Sequence, residues 1–504
     1  MIFAVTTAQM KQAEELSEKK GVTRATLMQN AAEQCLEAIK RRIGKTAYKR
    51  FAILCGSGNN GGDGAELAAL LREEGGEVTL LLTDGLPDTP TARACMERHG
   101  EKPSAISCKE APDAAKSLLK SADVIIDCVF GTGFHGELPP VAAEMLAYAN
   151  AECNALKIAV DIPSGINGDS GEIADNAFRS DMTLVLGAMK TGLLNHPACE
   201  YCGEMQVLDI GISDGCYTEY EAVFTPPSIM DKLPPRPIYS NKGDFGKLLN
   251  VAGSVSYIGA TILSSKAALR IGTGLVTLAS TEYVIGAAAA AMPECVYLPL
   301  YQDDRGYIYS ANAKLLCEAA EKATAVSVGC GMGNNENTAK LTEALIKSGN
   351  CPIILDADGI NCISDNINVL KDNDRPIILT PHPGEFARLL GISVAEVQAH
   401  RLERAKRFAE DYGVVLLLKG MNTVIAAPDG RAAVNPTGSN ALSKAGCGDV
   451  LTGMIAGLAA QGAEAYDAAV LGAYIHGRCA DRLVKTRDPS SVLAGELVEC
   501  LGKI

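Results

Sequence analysis

The sequence predicts an α/β protein made of two unlike domains, each a largely parallel sheet covered by helices. Three observations carry that prediction. The chain has 504 residues, too many for one hydrophobic core, and 47% of them are hydrophobic, as folded domains require. In both halves short apolar runs alternate with helical periods, the pattern of parallel strands buried on both faces. Between the halves, residues 213–246 change texture, with two Pro-Pro pairs and few apolar periods. We therefore expect a first domain over 1–216, a linker over 217–240 and a second domain over 241–504. The halves share no evident repeat, which makes the chain a fusion rather than a duplication.

In the first half, helical periods run over 8–19 and 24–42. Strands follow at 51–56, 78–83, 124–130, 157–162, 182–187 and 204–210. The stretch GSGNNGGDG (56–64) joins the first of these strands to a helix. Gly56, Gly58 and Gly61 satisfy G-x-G-x-x-G, the Rossmann-like turn at which backbone N–H groups and a helix N-terminus attract a pyrophosphate. Asp84, after the strand VTLLLT, stands where a ribose hydroxyl would want an acid. Asp63, however, lies where dinucleotide phosphates would sit, and like charges repel. That strains a plain dehydrogenase reading. We expect the Asp63 side chain to hold the N–H groups of its own glycine loop instead.

Two further strand ends carry acids. DCVFGTGFHGEL (127–138) places Asp127 before a Gly-rich turn, and AVDIPSGINGDSGEI (159–173) places Asp161 and Ser164 at the next strand end. Non-redox chemistry explains acids around a dinucleotide crevice better than hydride transfer does. The oxygen-bearing side chains of Asn60, Asp127 and Ser164 suit a hard cation, which would offset the repulsion of phosphate. Taken singly, Asp127 and Asp161 also fit ordinary loop capping.

The second half continues as KLLNVAG, LVTLAS, AVSVGCG, PIILDADG, PIILTPHPGE, VVLLLKG and TVIAA, with two or three helices after residue 446. Its most informative stretch is NPTGSNALSKAGCGDVLTGMIAGLAAQG (435–462). Gly446, Gly448 and Asp449 open a long apolar helix, leaving bare N–H groups as a hole for a phosphoryl oxygen. We expect the helix dipole to keep Asp449 ionised, so that it accepts a proton from a hydroxyl being phosphorylated. The competing structural reading makes Asp449 an N-cap and the glycines mere packing devices. LKGMNTVIAAPDG (418–430), LTPHPGEF (379–386) and VGCGMGNNENT (328–338) add polar or Gly-rich loops at other strand ends. Together these loops would converge on the crevice where open α/β sheets bind ligands.

This combination resembles the ribokinase-like superfamily. Within it, NKGDFGKLL, GCGMGNN, ILDADGIN, LTPHPGEFARLL, LLKGMNTVI and AGCGDVLTGMIAG resemble, in order, the ADP/ATP-dependent NAD(P)H-hydrate dehydratases. The resemblance implies a ribokinase-like domain with ADP or ATP as co-substrate, together with Mg2+. It implies Asp449 as acid/base against the hydrate, and the Lys419, Gly420, Met421, Asn422 and Thr423 loop with Gly446 and Gly448 on the nucleotide. Ala260, Gly331, Gly333 and His382 would line the hydrate pocket. Cys447 and Ala445 depart from the residues usual at those positions, but backbone N–H groups do the binding there.

G-x-G-N-N-G-G-D-G, F-G-T-G-F-x-G-E and D-I-P-S-G likewise resemble the NAD(P)H-hydrate epimerases, over about residues 1–215. By that resemblance Asn59, Asn60, Gly61, Gly62 and Asp63 contact the hydrated dinucleotide, as do Gly131, Thr132, Gly133, Phe134, His135, Gly136 and Glu137. Asn60, Asp127 and Ser164 would bind K+, and Asp161 would move a proton on the substrate. Both halves thus point to one repair sequence acting on NAD(P)H hydrates with an adenine nucleotide, and family resemblance implies a homo-oligomer.

Composition narrows the rest. The net charge is −14 with no basic cluster, which argues against nucleic acid and anionic membranes. No apolar run approaches the roughly 20 residues of a membrane span, and MIFAV is too short for a signal core, so a cytoplasmic protein is expected. Seventeen cysteines, mostly within apolar strands and helices, fit a reducing compartment. Cys199 and Cys202, with His196 nearby, have zinc spacing but no second pair, and read as incidental thiols in a loop. The rival functions are a small-molecule kinase, a first domain that binds without catalysis, and an NAD-dependent dehydrogenase.

Overall fold

A computed structural model describes residues 1–98, 104–371 and 373–503. The chain forms two compact units, Met1–Val223 with Gln398–His400 and Phe224–Val397 with Arg401–Ile504. Among the described residues no helix is long and apolar enough to cross a membrane.

The first unit holds a seven-stranded sheet in the order Ala105–Ser107, Glu77–Leu82, Arg50–Cys55, Val124–Cys128, Leu156–Val160, Met182–Leu186 and Glu204–Leu208. Every neighbouring pair is parallel. Side chains alternate across each strand, so both faces need cover. Phe51 and Ile53 pack under Leu27, Ala31 and Leu67 of the helices Arg24–Ile43 and Asn59–Glu73. Ala52 and Leu54 point the other way, toward Leu119 and Met145 of the helices Pro112–Ser121 and Pro140–Glu152. Three layers result, and each such buried aliphatic side chain contributes roughly 1.5–3 kcal/mol. The winding reverses between Arg50–Cys55 and Val124–Cys128, which is where open α/β sheets leave a ligand crevice.

Two short segments read otherwise from the sequence also form strands. Phe3–Val5 pairs antiparallel with Ala222–Phe224 and parallel with Met189–Lys190. Residues 222–224 lie inside the span expected as linker. Their apolar character is hidden there between the turn-forming residues on either side, and Tyr217 stacks on Phe3 at 4.7 Å.

In the second unit, strands run in the order Val296–Leu300, Leu275–Thr281, Lys247–Val251, Ala325–Val328, Ile353–Leu355, Ile377–Leu379 and Val415–Leu418. All of these pair in parallel. Val424–Ala426 and Ala432–Val434 close one side as antiparallel strands. Three helices follow residue 446: Cys447–Ala460, Ala465–Leu483 and Ala494–Cys500. Beyond its first turn, Cys447–Ala460 is buried along its whole length, which explains its unbroken run of apolar and small residues.

Candidate active sites

At the crevice of the first unit lies a cavity of about 480 Å3. Asn59, Asn60, Asp63, Gly131, Thr132, Gly133, Phe134 and Asp161 line it, together with Asp84 and with Glu14, Arg24 and Lys190. The loop Gly56–Gly58 leads into the helix Asn59–Glu73, whose N-cap, Gly58, makes no side-chain bond and leaves the first N–H groups bare. Gly61 is compelled by a close approach: a Cβ there would stand 1.9 Å from the Gly56 carbonyl oxygen.

Asp161 occupies the left-handed region, with φ 69°, a strained setting for a non-glycine residue at a strand end. Its carboxylate pairs with the ammonium of Lys190, whose side chain is only 1% exposed, and accepts a 3.2 Å hydrogen bond from the Leu186 N–H. Lys190 also donates to the Leu186 carbonyl at 2.7 Å. Sequence reading missed Lys190, although a lysine just past the apolar strand TLVLGAMK was the available signal.

Asp63 departs from expectation. Among the described residues its side chain makes no hydrogen bond to the glycine loop, because it sits in the second turn of the helix and faces the cavity. Burial, then the charges of Asp161 and Glu14, push its carboxyl well above the usual carboxylate range, against the opposing pull of Lys190.

Behind this cavity the candidate cation residues meet. Asp127 is fully buried; its carboxylate accepts from Ser164 Oγ and from the Ser164 N–H, both at 2.7 Å, and from the Val129 N–H at 3.1 Å. Burial pushes it up to about 6 in spite of those bonds. Asn60 Nδ2 donates to the carbonyls of Phe130 and Val160 at 2.9 and 3.2 Å, leaving Asn60 Oδ1 buried with no partner. One buried carboxylate, an orphaned amide oxygen, a hydroxyl and two carbonyls form a donor set made only of oxygen, which fits an alkali cation. The remaining predicted residues stand nearby without lining the cavity. Gly62 packs toward Met28 and Ala92, and His135 Nδ1 lies 3.0 Å from Asn167 Nδ2. Gly136 has φ 80°, and Glu137 is exposed.

The second unit has its own cavity, about 400 Å3, lined by Asp356, Ala357, His382, Pro383, Lys419, Gly420, Leu442, Lys444, Ala445, Gly446, Gly448 and Asp449. The N-cap of Cys447–Ala460 is Gly446, at φ 92°, so Asp449 is not the cap. The two glycines differ in purpose. A Cβ on Gly446 would strike Leu263 at 2.6 Å, whereas a Cβ on Gly448 would face the Lys419 ammonium at 3.5 Å.

The helix start does not hold the Asp449 carboxyl below the usual carboxylate range. Burial, then the charge of nearby Asp356, push it up to about 6, against the thiol hydrogen bond from Cys330 and the charge of Lys419. Asp356, overlooked in ILDADGIN, anchors the site. Its buried carboxylate accepts from Lys419 Nζ at 2.9 Å, Thr380 Oγ1 at 2.8 Å and Thr452 Oγ1 at 2.7 Å. Burial alone would raise its pKa, but these partners outweigh burial and hold it below the usual range. His382 caps the helix Pro383–Leu390, its Nδ1 accepting from the N–H groups of Gly384 and Glu385 at 3.0 and 3.3 Å. Met421, Asn422 and Thr423 form the exposed turn beyond Gly420, where Thr423 Oγ1 donates to the Gly420 carbonyl at 2.9 Å.

Ala260, Gly331 and Gly333 do not line that cavity. A Cβ on Gly331 would lie 2.5 Å from Tyr257 Cβ and 3.0 Å from Ala260 Cβ, and Gly333 is covered by the Tyr307 ring. Cys199 and Cys202 are buried and neither is in a disulfide, and His196 Nδ1 lies 3.2 Å from Glu200 Oε1.

The class of protein is now defined. Residues 24–192 match the YjeF-related protein N-terminus family, and residues 248–503 match the NAD(P)H-hydrate dehydratase family. The chain belongs to the bifunctional NAD(P)H-hydrate repair enzymes. It is 36% identical to the enzyme Nnr of Moorella thermoacetica, over 99% of this chain and 96% of that one. It is 34% identical to Nnr of Thermofilum pendens, over 97% of this chain and 93% of that one. A crystal structure of the ADP/ATP-dependent NAD(P)H-hydrate dehydratase of Bacillus subtilis, co-crystallised with ATP/Mg2+, aligns at TM-score 0.49 and 34% identity, over 56% of this chain and 96% of that one.

Proposed function

We propose that the first unit interconverts the R and S epimers of NAD(P)H hydrate, and that the second dehydrates the S form to NAD(P)H using ADP or ATP. The observation that carries this reading is Asp449, held in the first turn of the helix from Cys447, beside the Gly446 and Gly448 N–H groups and the Lys419 ammonium. At neutral pH a carboxyl with a pKa near 6 is about nine-tenths ionised, and so is poised to take a proton. The hydrate bears a hydroxyl on the ring carbon next to nitrogen, and hydroxide is a poor leaving group. As Asp449 removes the hydroxyl proton, the oxygen attacks the terminal phosphoryl group of the nucleotide, and the P–O bond to the departing AMP or ADP breaks with its electron pair on the nucleotide oxygen. The Gly446 and Gly448 N–H groups and Lys419 would face the oxygens of the group in transit. Phosphate then leaves with the C–O electron pair as the nitrogen lone pair forms the double bond, and loss of a ring proton restores NAD(P)H.

Asp356 holds Lys419 in place, and His382 would border the hydrate. Mg2+, when bound, would neutralise phosphate charge, and the carboxylates of Asp449 and Asp356 offer the hard oxygen donors it takes. In the first unit, Asn60, Asp127 and Ser164 would hold K+, whose charge would offset that of the buried acid. The test is a supply of R,S-hydrate with ADP or ATP, followed by the absorbance of reduced nicotinamide. Complete recovery, faster than spontaneous epimerisation, supports both activities. Recovery of about half at that timescale removes the epimerase, and accumulation of a stable phosphate ester favours a small-molecule kinase.

A further inference from the structure

We infer that Asp63 is a second catalytic acid–base group of the first unit, sharing one cavity with the Lys190-paired Asp161. This rests on the epimerase reading above and adds the residue which supplies the missing proton.

Both carboxyls line one cavity, yet their settings are opposite. Asp161 is ion-paired with a buried ammonium and accepts a backbone N–H. Asp63 has neither hydrogen bond nor ion pair among the described residues, and it caps nothing, since the helix begins at Asn59 with Gly58 as N-cap. A carboxylate turned into a cavity with no partner is costly to keep ionised, and a carboxylic acid there is not. Burial and the neighbouring acids, Asp161 and Glu14, accordingly favour its proton. Of the charges around it, Asp161, Glu14 and Glu66 disfavour ionisation of Asp63 and Lys190 opposes them, while Asp84 and Arg24 also line the cavity. Lys190 is spent on Asp161 and the Leu186 carbonyl, and Arg24 lies 3.5 Å from Glu18. Two carboxyls in one cavity, one ion-paired and the other without a partner, have the unlike environments that an acid and a base require.

The step balances. One carboxyl gives its proton to the substrate hydroxyl; the C–O bond breaks with its electron pair on oxygen, and the ring nitrogen lone pair forms the iminium. Water then adds to the opposite face, the iminium electrons return to nitrogen, and the second carboxylate takes the surplus proton. Water lost equals water gained, and nothing is oxidised. The reverse epimerisation uses the two groups in exchanged roles, and solvent resets the proton.

The test uses the full-length chain with purified R-hydrate and nucleotide, its own dehydratase reporting product. S-hydrate is run separately to isolate the dehydratase leg. If the wild-type chain does not consume R-hydrate above the spontaneous rate, the epimerase reading itself fails. If it does, Asp63→Asn is expected to lower kcat for R-hydrate by about 100-fold, with KM and S-hydrate turnover within about threefold of wild type. One limb of the bell-shaped pH profile should disappear with it. Asp63→Glu keeps a carboxyl and should recover that limb. An unchanged kcat or an intact bell in Asp63→Asn overturns the proposal. So does a pure KM effect, or an Asp63→Glu profile identical to that of Asp63→Asn.

Discussion

Asp449→Asn should abolish dehydration and, at the same time, stabilise the protein. The carboxyl is raised from 3.8 to about 6 in the fold, chiefly by burial and next by the charge of Asp356. That difference amounts to about 3 kcal/mol, or about 2 kcal/mol after allowance for water at the cavity mouth. The sign follows from proton binding. A folded-state pKa above the unfolded one means that the folded protein binds the proton more tightly, so stability falls as pH rises from about 4 to about 6. Above that window the penalty is present in full; below it there is none. Asparagine keeps the shape and carries no charge, so the variant should exceed wild type by about 2 kcal/mol in urea unfolding at pH 8, and by nothing near pH 4. Turnover of S-hydrate should drop about 10²–10⁴-fold, with R-to-S epimerisation unchanged. A variant no more stable than wild type at pH 8, or one that retains S-hydrate turnover, refutes the reasoning.

Other outcomes follow from the same geometry. Asp356 and Asp449 offer oxygens within 4.8 Å of each other, an interaction of about 3.5 kcal/mol at an effective dielectric near 20, which Lys419 partly cancels. Asp356→Asn should therefore move the acid limb of the S-hydrate pH profile down from about 6 by about one unit, and a limb that stays or rises would contradict this. Gly446→Ala meets Leu263 and must leave φ 92°, so it should lower Tm by several degrees. Gly448→Ala should instead fold normally and raise KM for the nucleotide, because its Cβ faces Lys419. Replacing K+ by choline should lower the Tm of the first unit in thermal melts. That response should fade as pH falls below about 6, where Asp127 takes up a proton.

How far these features were legible depends on how local each one is. Strands such as Arg50–Cys55 and Met182–Leu186 announced themselves because their burial on both faces writes an unbroken apolar run. Val296–Leu300 did not, because it is an edge strand carrying Pro299 and its exposed positions break the run. Ala432–Val434 is too short to stand out from the turn before it. Asp449 and Asp161 were readable as acids at helix and strand ends. The pairings that set their protonation join residues far apart in sequence: Lys190 with Asp161, and Asp356 with Lys419 and Thr452. Neither pairing has a local pattern. Asp63 misled for the same reason. Its spacing after the glycines suggested a loop brace, and only the helical turn that begins at Asn59 decides that it faces the cavity.

The charge around each cavity accounts for a division of labour that motifs alone leave unexplained. Among the described residues that line the first cavity, Glu14, Asp63, Asp84 and Asp161 outnumber Arg24 and Lys190, and the lysine is buried against Asp161 rather than offered to a ligand. Such a cavity stabilises a cation, and the iminium formed when hydroxide departs is one. Among the described residues lining it, the one lysine, Lys190, is ion-paired with Asp161. In the second unit two acids face Lys419 and Lys444, and the Lys419 ammonium sits beside the opening at Gly448. There a phosphoryl group in transfer meets positive charge and N–H groups together. On the proposed reading, reversible loss of water therefore belongs to the net acidic site and irreversible, nucleotide-driven loss to the charge-balanced one, where a lysine stands at the opening. Removing one charge tests the assignment directly. Lys419→Met should cripple S-hydrate turnover and leave epimerisation intact, and equal loss of both would break the link between cavity charge and reaction.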